Sequence, residues 1–303
     1  MINMSTLTVF TPAYNRAHLL PRLYESLKNQ TSQDFTWLVV DDGSVDNTQE
    51  LVNKFIAEDI LDIKYFFQKN QGMHGAHNTA YENITTELNT CIDSDDFMPD
   101  NAVEIILDKW NSTSPADKLK YSGIVGLDAD MEGNIIGSKF TTGTTTLENF
   151  YLNGGSGDKK LVYRTDVMKK YPPYPLFEGE KYVGLGYKYQ LADQDFELMT
   201  INEVLIIVDY QEGGSSNNMF RQYLKNPKGF AFIRKQGMVL STSGKKRFQD
   251  AIHYVSSSLI VKNTKFIQES PKKIMTIVAI PAGVLLYALI KYKNRKQKHT
   301  KEL

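Results

Sequence analysis

Four apolar, β-rich runs in the first hundred residues alternate with stretches of helical periodicity. This alternation constrains the fold more than any other feature. Residues 7–11 read as a strand that ends at the turn signal Pro12-Ala13-Tyr14-Asn15, after which Leu19, Leu20, Leu23 and Leu27 recur at helical spacing. Residues 35–40 form a second strand, closed by Asp41-Asp42-Gly43-Ser44. Asp46, with Gln49 three residues on, predicts an N-cap and capping box for a helix through Leu51, Val52 and Phe55. Residues 63–67 are a third strand and residues 76–81 are helical. Residues 88–92 are a fourth strand, closed by Asp93-Ser94-Asp95-Asp96. Asp100 predicts the cap of a helix through Val103, Ile106 and Leu107. Such alternation implies an α/β fold with a mostly parallel sheet flanked by helices. Right-handed crossovers then bring the strand C-termini to one edge, where ligands bind in open α/β sheets. Both acidic runs fall at that edge.

From about Lys118 the pattern is mixed. Residues 124–127 and 204–208 read as strands, and residues 248–261 have helical spacing. Gly154-Gly155-Ser156-Gly157 and Gly213-Gly214-Ser215-Ser216 read as mobile loops. No internal repeat is present. The expected organisation is a main domain over 1–228, with halves of about 1–115 and 116–228, then a helical extension over 229–270 and an apolar segment with a basic tail over 271–303.

The chain has 303 residues with 35 basic and 35 acidic side chains. That length can bury a sizeable core. The zero net charge hides an asymmetry: residues 291–303 carry six basic side chains against Glu302 alone, a net +5, so the preceding 290 residues carry −5. A mildly acidic body does not suit a nucleic-acid binder, whose positive charge covers a folded face. Cys91 is the single cysteine, which excludes an intrachain disulfide and points to a reducing compartment. MINMSTLTVF lacks the pattern of a secretory signal.

Asp93-Ser94-Asp95 is the sharpest local signal. Two carboxylates one residue apart at a strand end can share Mg²⁺ or Mn²⁺ with a phosphate ligand. Alone, such a triplet also caps helices or solvates turns; its position after an apolar strand favours a site. Asp42 can accept a hydrogen bond from a base N–H or, more blandly, cap the next helix. Neither a GxGxxG nor a GxxxxGK[ST] pattern occurs, which argues against a dinucleotide dehydrogenase and a P-loop NTPase.

Four segments in order carry a specific resemblance: Val9-Phe10-Thr11-Pro12-Ala13-Tyr14-Asn15-Arg16, Val39-Val40-Asp41-Asp42-Gly43-Ser44-Val45-Asp46, Gln71-Gly72-Met73-His74-Gly75-Ala76-His77-Asn78 and Ile92-Asp93-Ser94-Asp95-Asp96. Together they resemble the inverting family 2 glycosyltransferases, over about the first hundred residues. The resemblance implies a GT-A fold and residue roles. Pro12, Tyr14 and Asn15 line the nucleotide pocket, Asp42 holds the uracil edge of a UDP-sugar, and Asp93 and Ser94 contact the nucleotide. Asp93 and Asp95 bind the metal, with Asp96 supporting the sugar or the metal shell. His77 stands where many relatives carry Arg and is, with Asn78, a nucleotide contact. Met73 stands where a subset carries Lys.

The second half resembles the capsule and exopolysaccharide transferases of that family. The matching text is Gly157-Asp158-Lys159-Lys160, Phe177-Glu178-Gly179-Glu180-Lys181-Tyr182, Ile201-Asn202-Glu203 and residues 210–218. Many relatives carry Glu-Asp where this chain has Glu180-Lys181, so the acid that deprotonates the acceptor falls to Glu180, with Glu178, Asp193 and Asp195 as alternatives. The loop through Asn217 and Asn218 would close over the donor or acceptor.

Residues 274–290 hold 17 uncharged residues between Lys272-Lys273 and the basic tail. As a helix they extend roughly 25 Å at ~1.5 Å per residue, slightly short of a ~30 Å bilayer core. Pro281 and Gly283 weaken a straight helix. The expected attachment, spanning or in-plane, is to the cytoplasmic face of a bacterial cell membrane. It suits a polyprenyl-diphosphate-saccharide acceptor, as the resemblance implies; a homo-oligomer is left open. The expected activity is a metal-dependent inverting hexosyl or N-acetylhexosaminyl transfer from a nucleotide sugar to a saccharide. A non-catalytic nucleotide-sugar-binding subunit is the alternative, and a nucleotidyltransferase lacks its Gly-rich N-terminal signature here.

Overall fold

The computed structural model describes residues 5–210 and 219–299, with side chains described as far as Arg295. The Gly213–Asn218 loop and the end of the basic tail lie outside the described residues. In chain order the elements are β1 (Leu7–Ala13), α1 (Leu20–Lys28), β2 (Phe35–Asp41), α2 (Thr48–Ala57), β3 (Ile63–Phe67), α3 (Met73–Asn83), β4 (Leu88–Cys91), α4 (Ala102–Asn111), α5 (Pro115–Lys118) and β5 (Tyr121–Ala129). There follow β6 (Thr144–Thr145), α6 (Leu147–Leu152), β7 (Lys159–Arg164), α7 (Thr165–Lys170), α8 (Gly186–Asp195), β8 (Glu197–Ile207), α9 (Met219–Lys225), α10 (Pro227–Leu240), α11 (Gly244–Ile260) and α12 (Lys273–His299). The chain divides into two compact units. One comprises Met1–Gln71, Gly75–Pro173 and Ala192–Gln211; the other comprises Gly72–His74, Tyr174–Leu191 and Glu212–Leu303.

The first unit holds one eight-stranded sheet in the order β3-β2-β1-β4-β7-β5-β8-β6. Strands β1 to β4 run parallel, β7 is antiparallel to both β4 and β5, and β8 runs parallel to β5. The expected α/β architecture is therefore present. β1 and β2 are buried at every residue, as strands covered on both faces must be, and this is why they read as unbroken apolar runs. Trp37 is fully buried on β2. Its indole N–H donates to Thr11 Oγ1 at 3.0 Å, which satisfies the one polar atom it takes out of water. Tyr24 of α1 and Phe55 of α2 stack beside it, 3.9 Å apart.

Several boundaries differ from expectation for physical reasons. β1 continues through Pro12 to Ala13. Pro12 lies past the last β4 pair, Phe10 with Cys91, where one side of the strand is no longer laddered and a missing N–H is tolerated. Asp46 does not build a capping box: the N-cap of α2 is Asn47. One Asp46 oxygen accepts the Thr48 N–H, while the other reaches the Ala17 N–H at 3.1 Å. Asp100 is not the cap of α4 either; Asn101 holds that position. Gly154–Gly157, expected as a mobile loop, is gathered around the Lys159 ammonium, which donates to the carbonyls of Ser156 at 2.9 Å and Asp158 at 3.0 Å.

The second unit is helical over α9 to α12. Met238, Ala251, Tyr254, Val255 and Ala279 form its apolar cluster. Asp250 is buried among them but ion-paired, to Arg234 at 2.8 Å and Lys246 at 2.7 Å. α12 is continuous through Pro281, although a proline inside a helix removes one ladder bond.

The amide of Gln30 supplies the side-chain acceptor that the N-cap residue Asn101 of α4 does not. Its Oε1 accepts the Val103 N–H at 3.0 Å, and its Nε2 donates to Ser26 O at 3.0 Å and Pro99 O at 2.7 Å. Gln30→Ala should strand these buried backbone groups and lower stability by about 1–3 kcal/mol, measured as a fall in the urea midpoint with an unchanged m value.

Candidate functional site

The turns after β1 and β2 are stitched together. Asn15 takes a left-handed backbone, φ 55°, which Asn tolerates better than most residues. Its N–H donates to Ser44 Oγ at 2.9 Å and its Oδ1 accepts the Val45 N–H at 2.8 Å. Gly43 has φ 82°, and a Cβ there would meet the Asn70 nitrogen at 2.8 Å, so only glycine fits this turn. Asp41 is spent on structure: it accepts the Ser44 N–H at 2.8 Å and the Tyr65 hydroxyl at 2.7 Å. Asp42 is 3% exposed. Its Oδ1 accepts the Gln68 amide and the Gln71 N–H, both at 2.7 Å. Pro12 is buried and Tyr14 is exposed at the same edge.

The acidic run after β4 folds into a tight cluster. The Asp96 N–H donates back to Asp93 O at 3.1 Å, and one carboxylate oxygen from each of Asp93, Asp95 and Asp96 lies within 4.8 Å of the others. The loop is fixed from two sides. Phe97 exchanges backbone hydrogen bonds with Ile207 at 2.8 and 3.1 Å. Arg22 donates to the Asp95 carbonyl, pairs with Asp209 at 2.8 Å and lies over the Phe97 ring. Asp96 accepts the Asp209 N–H at 3.1 Å.

Close carboxylates resist ionising together. Asp96 is pushed up to about 7, first by loss of water and then by the charge of Asp93. Asp93 keeps a solvent-facing edge, yet its pKa is also raised, by the protein around it and by Asp95, while Lys160 and Arg16 pull it back. A set of three hard oxygen donors whose mutual repulsion a cation relieves fits Mg²⁺ or Mn²⁺.

Sheet topology adds Asp128, which the sequence did not single out, and gives a place to Lys160, which the Gly157-Asp158-Lys159-Lys160 segment contained without a role. Because β7 runs antiparallel, its first residues lie at the edge where the parallel strands end; Lys160 pairs with Gly126 of β5. The Lys160 ammonium donates to the Cys91 carbonyl, and its charge acts on Asp93, Asp96 and Asp128. Asp128, near the end of β5, is 5% exposed. Burial raises it to about 6, and its Oδ1 has no hydrogen-bond partner among the described residues. No local motif marks Asp128; for Lys160 the signal was its place in the Gly157-Asp158-Lys159-Lys160 segment, which gave it no role.

The other expected site residues lie in varied settings. His77 is fully buried, with its ring edge-on to Phe10 at 5.0 Å and Tyr81 at 6.0 Å. Asn78 is half-buried on α3, and Ser94 is buried inside the acidic loop. Glu180, in the second unit, is 9% exposed. Its two oxygens accept the Lys228 N–H at 2.9 Å and the Gly229 N–H at 2.8 Å, at the start of α10. A carboxylate there satisfies orphan N–H groups and meets the positive end of the helix dipole. Glu178 is exposed. Asp193 accepts the Glu148 N–H at 3.0 Å and is raised to about 6 by burial. Asp195 is tied to Lys170 at 2.6 Å and to the Tyr171 hydroxyl at 2.8 Å. The structure thus gathers Asp93, Ser94, Asp95 and Asp96 at one loop and gives Glu180, Asp193 and Asp195 other partners.

Residues 8–121 match the family model for glycosyl transferase family 2. Chondroitin synthase of Escherichia coli is 32% identical over 133 residues, 44% of this chain and 19% of the relative. A GalNAc(5)-diNAcBac-PP-undecaprenol beta-1,3-glucosyltransferase of Campylobacter jejuni is 34% identical over 110 residues, 36% of this chain and 35% of the relative. The match therefore spans only a fifth to a third of these two relatives. Among solved structures, S. aureus TarS 1-349 in complex with UDP-GlcNAc covers 96% of this chain and 92% of its own, with TM-score 0.63 and 18% identity. Mannosyltransferase PcManGT from Pyrobaculum calidifontis, in complex with GDP-Man and Mn2+, covers 97% and 84%, with TM-score 0.56 and 15% identity. The likeness shows a shared GT-A-like fold.

Two outcomes are expected. Without a cation, the folded form holds a proton at Asp96 that the unfolded chain has released, so the Asp96 contribution to stability falls as pH rises from about 4 to about 7. Protons and cation compete for these oxygens, so Mn²⁺ should raise the melting temperature more at about pH 8 than at about pH 5.5, and Asp96→Asn should shrink that difference. Glu180→Ala should lower stability by about 1–2 kcal/mol through loss of the α10 cap, read by thermal melting.

Proposed function

We propose that this chain is a metal-dependent inverting glycosyltransferase that moves a sugar from a nucleotide sugar, with a UDP-sugar as first choice, to a saccharide acceptor carried on a polyprenyl diphosphate. One observation carries the reading: the Asp93, Asp95 and Asp96 cluster sits at the strand-end edge inside the segment that matches family 2. The named ligands of TarS and PcManGT support a nucleotide-sugar donor, and the Campylobacter relative supports a lipid-linked acceptor. Capsule or exopolysaccharide synthesis at the cytoplasmic membrane face, with attachment through residues 271–303, is the setting we propose. Donor binding is assigned to about residues 1–115 and acceptor binding to about 116–228.

In this mechanism Asp42, Asn15 and Tyr14 hold the nucleotide, with Pro12 shaping the pocket. Asp93 and Asp95, supported by Asp96, would hold Mg²⁺ or Mn²⁺, which when bound neutralises charge on a diphosphate leaving group. Lys160 adds a fixed positive charge behind the same carboxylates. A carboxylate takes the proton from the acceptor hydroxyl, whose oxygen attacks the anomeric carbon opposite the leaving diphosphate, inverting the configuration. For that base we favour Glu178, because Glu180, Asp193 and Asp195 already serve helix starts or ion pairs. A non-catalytic nucleotide-sugar-binding subunit is a second reading, favoured by Lys181 beside a Glu180 committed to α10.

Incubation with a panel of UDP- and GDP-sugars, Mn²⁺ and a polyprenyl-diphosphate saccharide tests the class and the donor together. Release of nucleoside diphosphate with one donor is expected, and Asp95→Asn should reduce it by about 10²-fold or more. Glu178→Gln should lower kcat by about 10²-fold or more without moving the melting temperature. If purified protein releases nothing from any donor, the subunit reading gains instead.

A further inference from the structure

α12 is apolar on its outward face as well as its inward one. Thr276, Ala279, Gly283 and Ile290 recur at helical spacing and are buried. Gly283 lies against α11, where an added Cβ would meet the Val255 Cβ at 2.5 Å. Farther along, Asn294 donates to the Phe220 carbonyl of α9 at 2.8 Å. The inner stripe therefore has neighbours at both ends. The opposite stripe holds Ile274, Ile277, Val278, Leu285, Leu289 and Tyr292. Of these, Ile274 is 80% exposed, Val278 62% and Leu285 72%. A helix on the surface of a water-soluble unit ordinarily turns charge to this side. Here no charged residue lies between Lys273 and Lys291.

By length and composition, Lys273–Arg295 could cross a membrane. Its packing argues against a span. α11, in close contact through Gly283, carries Lys245, Lys246, Arg247 and Asp250 in its first turns. α12 could not enter a bilayer lengthwise without drawing those charges in or abandoning its buried stripe. The outward stripe from Ile274 to Tyr292 is about 27 Å long, slightly short of a ~30 Å hydrocarbon core. Basic residues flank it at both ends, Lys272 and Lys273 before it and Lys291, Lys293 and Arg295 after it, with no acid between Ser270 and Arg295.

We infer that α12 lies flat in the surface of an anionic phospholipid membrane. The Ile274 to Tyr292 stripe enters the acyl boundary, and both basic flanks lie among headgroups on the same side. This deepens the membrane attachment proposed above and is independent of the sugar chemistry. The full chain, added to preformed vesicles, should float with phosphatidylcholine–phosphatidylglycerol vesicles and far less with phosphatidylcholine alone. A Val278→Glu, Leu285→Glu double variant should bind at least about tenfold more weakly with an unchanged melting curve, since both positions are exposed.

A membrane-impermeant lysine reagent applied outside those vesicles distinguishes the geometries. Modification of both Lys272-Lys273 and Lys291-Lys293, read by mass spectrometry, supports the in-plane helix. Protection of the second pair alone means a span, which overturns the orientation and leaves attachment standing. Absence of flotation overturns both. A wild-type dimer by light scattering that the double variant loses, without flotation of either, makes a second copy the occupant and overturns the lipid assignment.

Discussion

Like-charge repulsion at the end of β4 is the constraint around which the first unit is built. Three carboxylates with ligand oxygens within 4.8 Å of one another would, unaided, drive the loop open. The fold opposes this with covalently fixed positive charge and backbone. Lys160 comes in on an antiparallel strand, Arg22 comes from α1, and Phe97 is bonded to Ile207 in both directions. None of these removes the repulsion: the pKa of Asp96 is raised first by burial and then by the charge of Asp93. A loop held rigid and still over-charged is pre-organised for a cation, because the ordering has been done by folding and not by the ligand.

The placement of Lys160 depends on strand direction. Had β7 paired in parallel with β4, Lys159 and Lys160 would begin at the opposite edge of the sheet. One antiparallel strand in a mostly parallel sheet therefore carries basic charge to an acidic edge. It also leaves β5 and β8 running the same way as β1 to β4. Asp128 and Asp209 consequently arrive at the edge already occupied by Asp42 and Asp93.

This dependence on topology explains what was legible in the sequence. β1, β2 and β4 were readable because strands buried on both faces must be continuous apolar runs. β3, the half-exposed edge strand, was readable from its run of Ile and aromatic residues, and acids mark the ends of β2 and β4. β7 was not: it opens with two lysines, and its partners Thr90 and Ile124 are far away in sequence. Asp128 carries no motif, Lys160 stood in a matching segment without a role, and both acquire their setting only once the strand order is known. Glu180 was readable as an unusual acid, but its role was not, because its partners are the N–H groups of a helix starting 47 residues later. Asp46 and Asp100 erred by one position for a related reason. Asp46 divides its carboxylate between the Thr48 N–H and the distant Ala17 N–H, and the α4 start is served by Gln30, which is distant in sequence but adjacent in the fold.

The C-terminal run shows the reverse case, in which composition was legible and geometry decided its meaning. Seventeen uncharged residues suit a core helix, a span or an in-plane helix equally well. Burial along α12 separates them. A core helix would hide both stripes, and a span would leave both free of charged neighbours. α12 hides one stripe against α11, which carries charge, and leaves the other apolar and open. The in-plane placement we propose, with water on one side and hydrocarbon on the other, satisfies both faces at once. The charge asymmetry of the chain then has a physical reading. The acidic excess belongs to the body, where it includes the Asp93–Asp96 loop, and the basic excess is kept to the flank of the helix for which we propose an anionic surface.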